Sequence, residues 1–149
     1  MFMDVFRSAA SALFLFSAPG LLALGTAPAA LAQDDRHAAT CAEAEESYRE
    51  MFGHPSSDED MPVVLMYRNV FCPAEKTVKQ GTSLRWRNVE RRTSHSIWFR
   101  DADRPESERI FPGESIEMEV DLPIGDHVYL CGPHWERRNM IGRLTVVEQ

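Results

Sequence analysis

From Pro62 onward the chain is written in short runs of alternating apolar and polar residues separated by turn residues. Leu84 and Trp86 alternate with Arg85 and Arg87, and Ile116, Met118 and Val120 alternate with Glu117, Glu119 and Asp121. A period of two sends successive side chains to opposite faces of a strand, so each run offers one face to a core and one to water. Further β-like runs lie at 63–71, 77–79, 96–99, 127–131 and 143–147, with a turn at Gln80-Gly81. Seven or so such runs at this spacing predict an all-β, antiparallel sandwich. The charged stretch 100–114, with Pro105, Pro112 and Gly113, breaks the pattern and predicts a surface excursion.

The first 32 residues read as a secretory signal peptide. They hold a lone Arg7, an apolar stretch from Ala9 to Leu24, and Ala30-Leu31-Ala32 as an A-x-A cleavage site. Pro19 and Gly20 interrupt the stretch and Gly25 and Pro28 break the segment after it, which argues against a membrane span; a retained anchor is the alternative. Ala38-Ala39-Thr40 ahead of Cys41 lacks the Leu of a lipoprotein cleavage box. The expected location is periplasmic or secreted, with no membrane span in the mature chain.

Residues 33–61 read as an acidic extension carrying a short helix over 41–52, and residues 62–149 as the folded domain. Thr40 and Glu43 have the spacing of a capping box, Cys41, Ala44, Tyr48 and Phe52 share a face, and Gly53 is a stop. Of the net charge of −7, residues 33–60 carry two Arg against nine Asp and Glu, while 61–149 carry thirteen basic and thirteen acidic residues. The acidity therefore belongs to the extension, which as a rule is simply solvated. Nothing in this balance points to nucleic acid.

The chemistry-bearing residues gather late in the chain. Cys131 and His134 lie in Tyr129-Leu130-Cys131-Gly132-Pro133-His134, Met140 follows, and His95 sits upstream in Thr93-Ser94-His95-Ser96-Ile97-Trp98-Phe99. One thiolate, two imidazoles and a thioether are the donors of a mononuclear copper site for electron transfer: the soft sulfurs favour Cu(I), the imidazoles accept Cu(II). Taken singly, Cys131 reads as a buried structural cysteine, His95 as a strand histidine and Met140 as core; the combination argues otherwise. Zinc would call for C-x2-C pairs and haem for C-x-x-C-H, neither of which occurs. A Cys131–His134 nucleophilic pair is the weaker reading. Three cysteines in an oxidising compartment leave one over. If Cys131 holds metal, Cys41 and Cys72 are the natural disulfide, which parity fits but does not assign. His127 reads as a strand-end surface residue, and His37 and His54, near Met51 and Met61, as a weak second copper-loading site at most.

This pattern resembles the cupredoxins, the small blue-copper β-sandwich proteins of the plastocyanin, pseudoazurin and amicyanin kind, over about residues 62–149. The resemblance rests on Lys79-Gln80-Gly81-Thr82 leading into Leu84-Arg85-Trp86, the His95 segment, Phe111-Pro112-Gly113-Glu114, and the C-terminal loop. It implies a Greek-key sandwich and one type 1 copper ion, with His95, Cys131 and His134 as equatorial ligands and Met140 as axial ligand. The implied role is a monomeric one-electron carrier and not an enzyme, exchanging electrons with a c-type cytochrome, an oxidase or a reductase. In the family, electrons enter at the exposed ring edge of the C-terminal histidine. Here that is His134, flanked by Pro133 and Trp135, with Arg137 and Arg138 as a cationic rim that would steer an acidic partner. Copper binding for tolerance or buffering is the alternative role.

Two departures stand out. Five residues separate His134 from Met140, against two to four in familiar small members, which makes Met140 the least secure ligand and leaves room for Glu136 or a backbone carbonyl. Many members also carry Asn beside the first histidine, where this chain has Ser94, a shorter group that would bond the ligand loop differently.

Overall fold

The computed structural model describes residues 29–148, so most of the expected signal peptide, 1–32, lies outside the described residues. Helix α1 spans Ala29–Phe52, twice the expected length. Thr40 is not a cap: its hydroxyl donates to the Arg36 carbonyl at 2.9 Å, one turn back inside the helix. The capping-box spacing is coincidental, because 33–40 holds neither Pro nor Gly and nothing there stops helix propagation. The expected stop at Gly53 is real. Its φ of +79° takes the chain out of the helix, and its N–H closes on the Arg49 carbonyl at 2.9 Å.

Seven strands follow: β1 Val63–Tyr67, β2 Val70–Cys72, β3 Glu75–Lys79, β4 Ser83–Asn88, β5 Ser115–Glu119, β6 Gly125–Leu130 and β7 Ile141–Val147. They form two sheets, in the orders β2-β1-β4-β5 and β3-β7-β6. The sandwich is mixed rather than purely antiparallel, since β1 pairs in parallel with β4 and β3 with β7. The expected run 63–71 folds back on itself at Arg68-Asn69. Both have positive φ (47° and 60°), the two-residue hairpin geometry that pairs Tyr67 with Val70.

Strand β1 does not alternate, because it is covered on both sides. Val64 and Met66 enter the main core between the sheets, with Trp86, Tyr129, Phe71 and Leu144. Val63 and Leu65 face a smaller cluster with Ala44 and Tyr48 of α1, Cys72 and Val89. A disulfide between Cys41 and Cys72 fastens the helix to this outer face.

The run 96–99 is not a strand. It makes isolated bridges instead, His95 to Ile110 of the excursion and Trp98 to Leu130 at the end of β6. The segment thus joins the 100–114 excursion to the end of β6. The excursion 100–114 is largely exposed, but Ile110 is drawn into the core. Among the described residues no helix is long and apolar enough to cross a membrane.

Candidate metal centre

The site lies where the His95 segment meets the β6–β7 connection. His95 is fully buried, its N–H and C=O both paired with Ile110 at 3.0 and 2.8 Å. Cys131 comes directly after β6 and is also fully buried. Its carbonyl accepts from the N–H groups of His134 (2.9 Å) and Trp135 (2.8 Å), which bends the chain back toward the thiol. The five residues before Met140 contain a single helical turn, α2, Trp135–Arg138, closed by Asn139 at φ +52°. That turn takes up the extra length. Met140 returns beside Cys131, with its N–H toward the His134 carbonyl (3.4 Å) and its C=O accepting from the Cys131 N–H (3.1 Å). Met140 is fully buried in the cluster that contains Cys131.

Three donors converge. The Cys131 Sγ is 3.5 Å from His95 Nδ1 and 3.3 Å from His134 Nδ1, and all three atoms lie within 4.8 Å of one another. Ligands about 2.0 to 2.3 Å from one shared metal ion, at angles near 110°, stand about 3.5 Å apart, so the spacing fits a common ion. The chemistry agrees. Burial pushes the Cys131 thiol up, against the pull of hydrogen bonds from Ser96 and His134, so a thiolate here calls for a cation beside it. Burial, then the neighbouring His95, holds His134 below the ordinary histidine range, which keeps its ring lone pair free at neutral pH.

Groups that the sequence reading passed over complete the surroundings. The Glu90 carboxylate is 3.1 Å from His95 Nε2, the nitrogen facing away from the thiol. Burial raises the Glu90 carboxyl, but the bonds to His95, Thr93 and the Asn69 N–H outweigh it and hold the group below the usual carboxylate range. The role expected of Ser94 falls to Ser96. Ser96 is fully buried, accepts the Gly132 N–H at 3.0 Å and donates to Glu106 at 2.6 Å. Both neighbours of His95 are serines, so the local pattern did not single out Ser96.

Pro133, His134 and Trp135 are part-exposed, and Glu136, Arg137 and Arg138 are exposed. Arg100, also unforeseen, lies over the Trp135 ring at 5.0 Å and the Trp98 ring at 5.9 Å. His127 is outside the group, bonded to the Pro123 carbonyl at 2.7 Å. His37 lies against the disulfide, 3.4 Å from Cys41 Sγ, and His54 packs edge-on against Tyr48. Cys131 is the free thiol.

No protein-family profile and no curated protein sequence matches the chain. Solved structures do. An oxidized amicyanin variant superposes with a TM-score of 0.52 over 60% of this chain and 84% of that one, at 19% identity. Amicyanin from Paracoccus versutus gives 0.52 over 61% and 87%, at 22% identity. A copper-containing nitrite reductase from Thermus scotoductus also gives 0.52, over 65% of this chain but 24% of the reductase, at 22% identity. The protein has a cupredoxin-like fold, with a His-Cys-His donor group and a buried methionine at one end of its sandwich.

Proposed function

We propose that the protein is an exported one-electron carrier whose single copper ion is held by His95, Cys131 and His134, with Met140 as the weaker fourth ligand. One observation carries this reading: the Cys131 thiol stands 3.3–3.5 Å from two imidazole Nδ1 atoms, in a pocket tied shut by backbone hydrogen bonds. Copper bound by such a set cycles between Cu(II) and Cu(I) with little rearrangement. The protein's part is to hold the donors still. The Ile110 bridge fixes His95, the Cys131 carbonyl fixes the turn to His134, and Ser96 fixes Gly132 next to the thiolate.

His134 is the donor nearest solvent, so its ring edge, with Pro133 and Trp135, is the surface through which a redox partner would exchange electrons. Arg137 and Arg138 border it and would draw an acidic partner surface. With Met140 taking the fourth position, the ion would hold no substrate, so in this reading the protein is a carrier and not an enzyme. The Cys41–Cys72 disulfide supports an oxidising location, periplasmic or secreted.

The decisive experiment is an absorption spectrum of the Cu(II)-loaded protein. A strong thiolate-to-copper charge-transfer band, abolished in Cys131→Ser, is expected. Its absence from the wild-type protein would overturn the reading.

A further inference from the structure

Helix α1 does more than cover a sheet. Glu43, Ser47 and Glu50 stand at i, i+4 and i+7 along one stripe of it, and each reaches the loops around Glu90. Glu43 pairs with Arg68 at 2.6 Å, the Ser47 hydroxyl donates to the Val89 carbonyl at 2.6 Å, and Glu50 pairs with Arg91 at 3.1 Å. Val89 and Arg91 are the chain neighbours of Glu90. Arg68 shares its hairpin turn with Asn69, whose N–H donates to the Glu90 carboxylate. The helix is itself anchored by the buried Ala44 and Tyr48 and by the disulfide at Cys41. Glu90 lies beyond the end of β4, outside any sheet ladder, and its own N–H is held by the Asn88 side chain at 2.9 Å.

We propose that α1 is a strut for the metal centre and that Ser47 is a positioning residue, acting on His95 through Val89 and Glu90. A carboxylate accepting from Nε2–H makes the opposite nitrogen a stronger donor and fixes the ring's rotation. How firmly Glu90 is held therefore sets how strongly His95 Nδ1 donates. The effect on a bound ion rests on the copper reading above, whereas the hydrogen-bonded relay exists in the metal-free protein and can be tested there.

The test compares wild type, Ser47→Ala, Ser47→Thr and Glu90→Gln. In the metal-free protein, NMR follows exchange of the His95 Nε2 proton. Exchange is expected to quicken about fivefold in Ser47→Ala, the loss of one ordinary hydrogen bond, and to return toward wild type in Ser47→Thr. In the copper-loaded protein, the charge-transfer band should persist while the reduction potential of Ser47→Ala rises, in the same direction as Glu90→Gln and by less. If Ser47→Ala lowers thermal stability but leaves proton exchange and potential unchanged, the helix is merely a cover and the proposal fails. If the wild type shows no charge-transfer band, the copper reading falls and proton exchange alone decides the strut.

Discussion

The Glu90 carboxylate stands 3.1 Å from Nε2 of His95, and this places the imidazole proton on the side away from Cys131. An ionised carboxylate can only accept, so Nε2 carries the hydrogen and Nδ1 keeps its lone pair toward the thiol. Glu90→Gln retains an acceptor but removes the charge. His95 then becomes a weaker donor, least able to support Cu(II). The expected outcome is a raised reduction potential and a loss of copper affinity of about 10–100-fold, measured by redox titration and by competition with a chelator.

Acid should loosen the metal-free protein in two stages. His134 is held below the ordinary histidine value of 6.5, so between 6.5 and its lowered value the unfolded chain binds more protons and stability falls with falling pH. Glu90 is held below the ordinary 4.5, so its contribution is complete above that value and is lost as pH falls through the lowered one. Urea unfolding at a series of pH values should show both declines. His134→Gln should remove the upper decline and Glu90→Gln the lower.

The Cys41–Cys72 bridge closes a loop with a sequence separation of 31. Loop-closure entropy for that length amounts to about 3–4 kcal/mol. The double variant Cys41→Ser/Cys72→Ser should lose stability of that order while Cys131 remains free to bind metal. Equilibrium denaturation of the metal-free protein reads the first, and the charge-transfer band reads the second.

Strands with one core face and one polar face were legible in the sequence. β5 alternates because Glu117 and Glu119 face water, and β4 because Arg85 and Arg87 point away from the core into ion pairs with Glu59. The site was legible only as a combination of His95, Cys131, His134 and Met140, each of them ordinary alone. Other features depended on tertiary contacts that local pattern does not carry. β1 lost its alternation to α1 packing on its outer face. The run 96–99 looked like a strand, yet His95 and Trp98 pair with different partners, Ile110 and Leu130. Thr40 and Glu43 mimicked a helix start inside a continuous helix. Trp135–Arg138, without the usual apolar spacing, gave no sign of the turn that returns Met140 to Cys131. Glu90 looked like any loop carboxylate until the fold set it against His95.

Two glycines near the site should respond to alanine for different reasons. A Cβ at Gly142 would lie 2.2 Å from Cζ of Tyr129, a fully buried ring packed on Phe71, Trp86 and Phe99 that cannot step aside. Gly142→Ala should cost about 1–3 kcal/mol or prevent folding. A Cβ at Gly132 would meet Glu106 Oε1 at 2.0 Å, but Glu106 is exposed and its carboxylate can swing out to water. Displacing Glu106 strips the buried Ser96 hydroxyl of its acceptor, so Gly132→Ala should cost about 1 kcal/mol. It should also shift the charge-transfer band, and denaturation and absorption measured on one sample would read both.

Arg137 and Arg138 are both exposed at the end of α2, yet they should not behave alike. After burial and His95, the Arg138 charge is among the groups that lower the proton affinity of His134, and Arg137 is not. Reversing Arg137 should therefore act only through the field that guides a partner. Arg137→Glu should slow reduction by an acidic redox protein roughly tenfold at low salt, with the gap closing as salt shortens the screening length to a few ångström. Its reduction potential should match wild type. Arg138→Glu should slow the encounter to a similar degree and in addition lower the potential, because a negative charge near His134 favours the more highly charged oxidised ion. Stopped-flow rates across ionic strength, set beside redox titrations, check both. Equal rates for wild type and Arg137→Glu at every salt concentration would rule out steering by this rim.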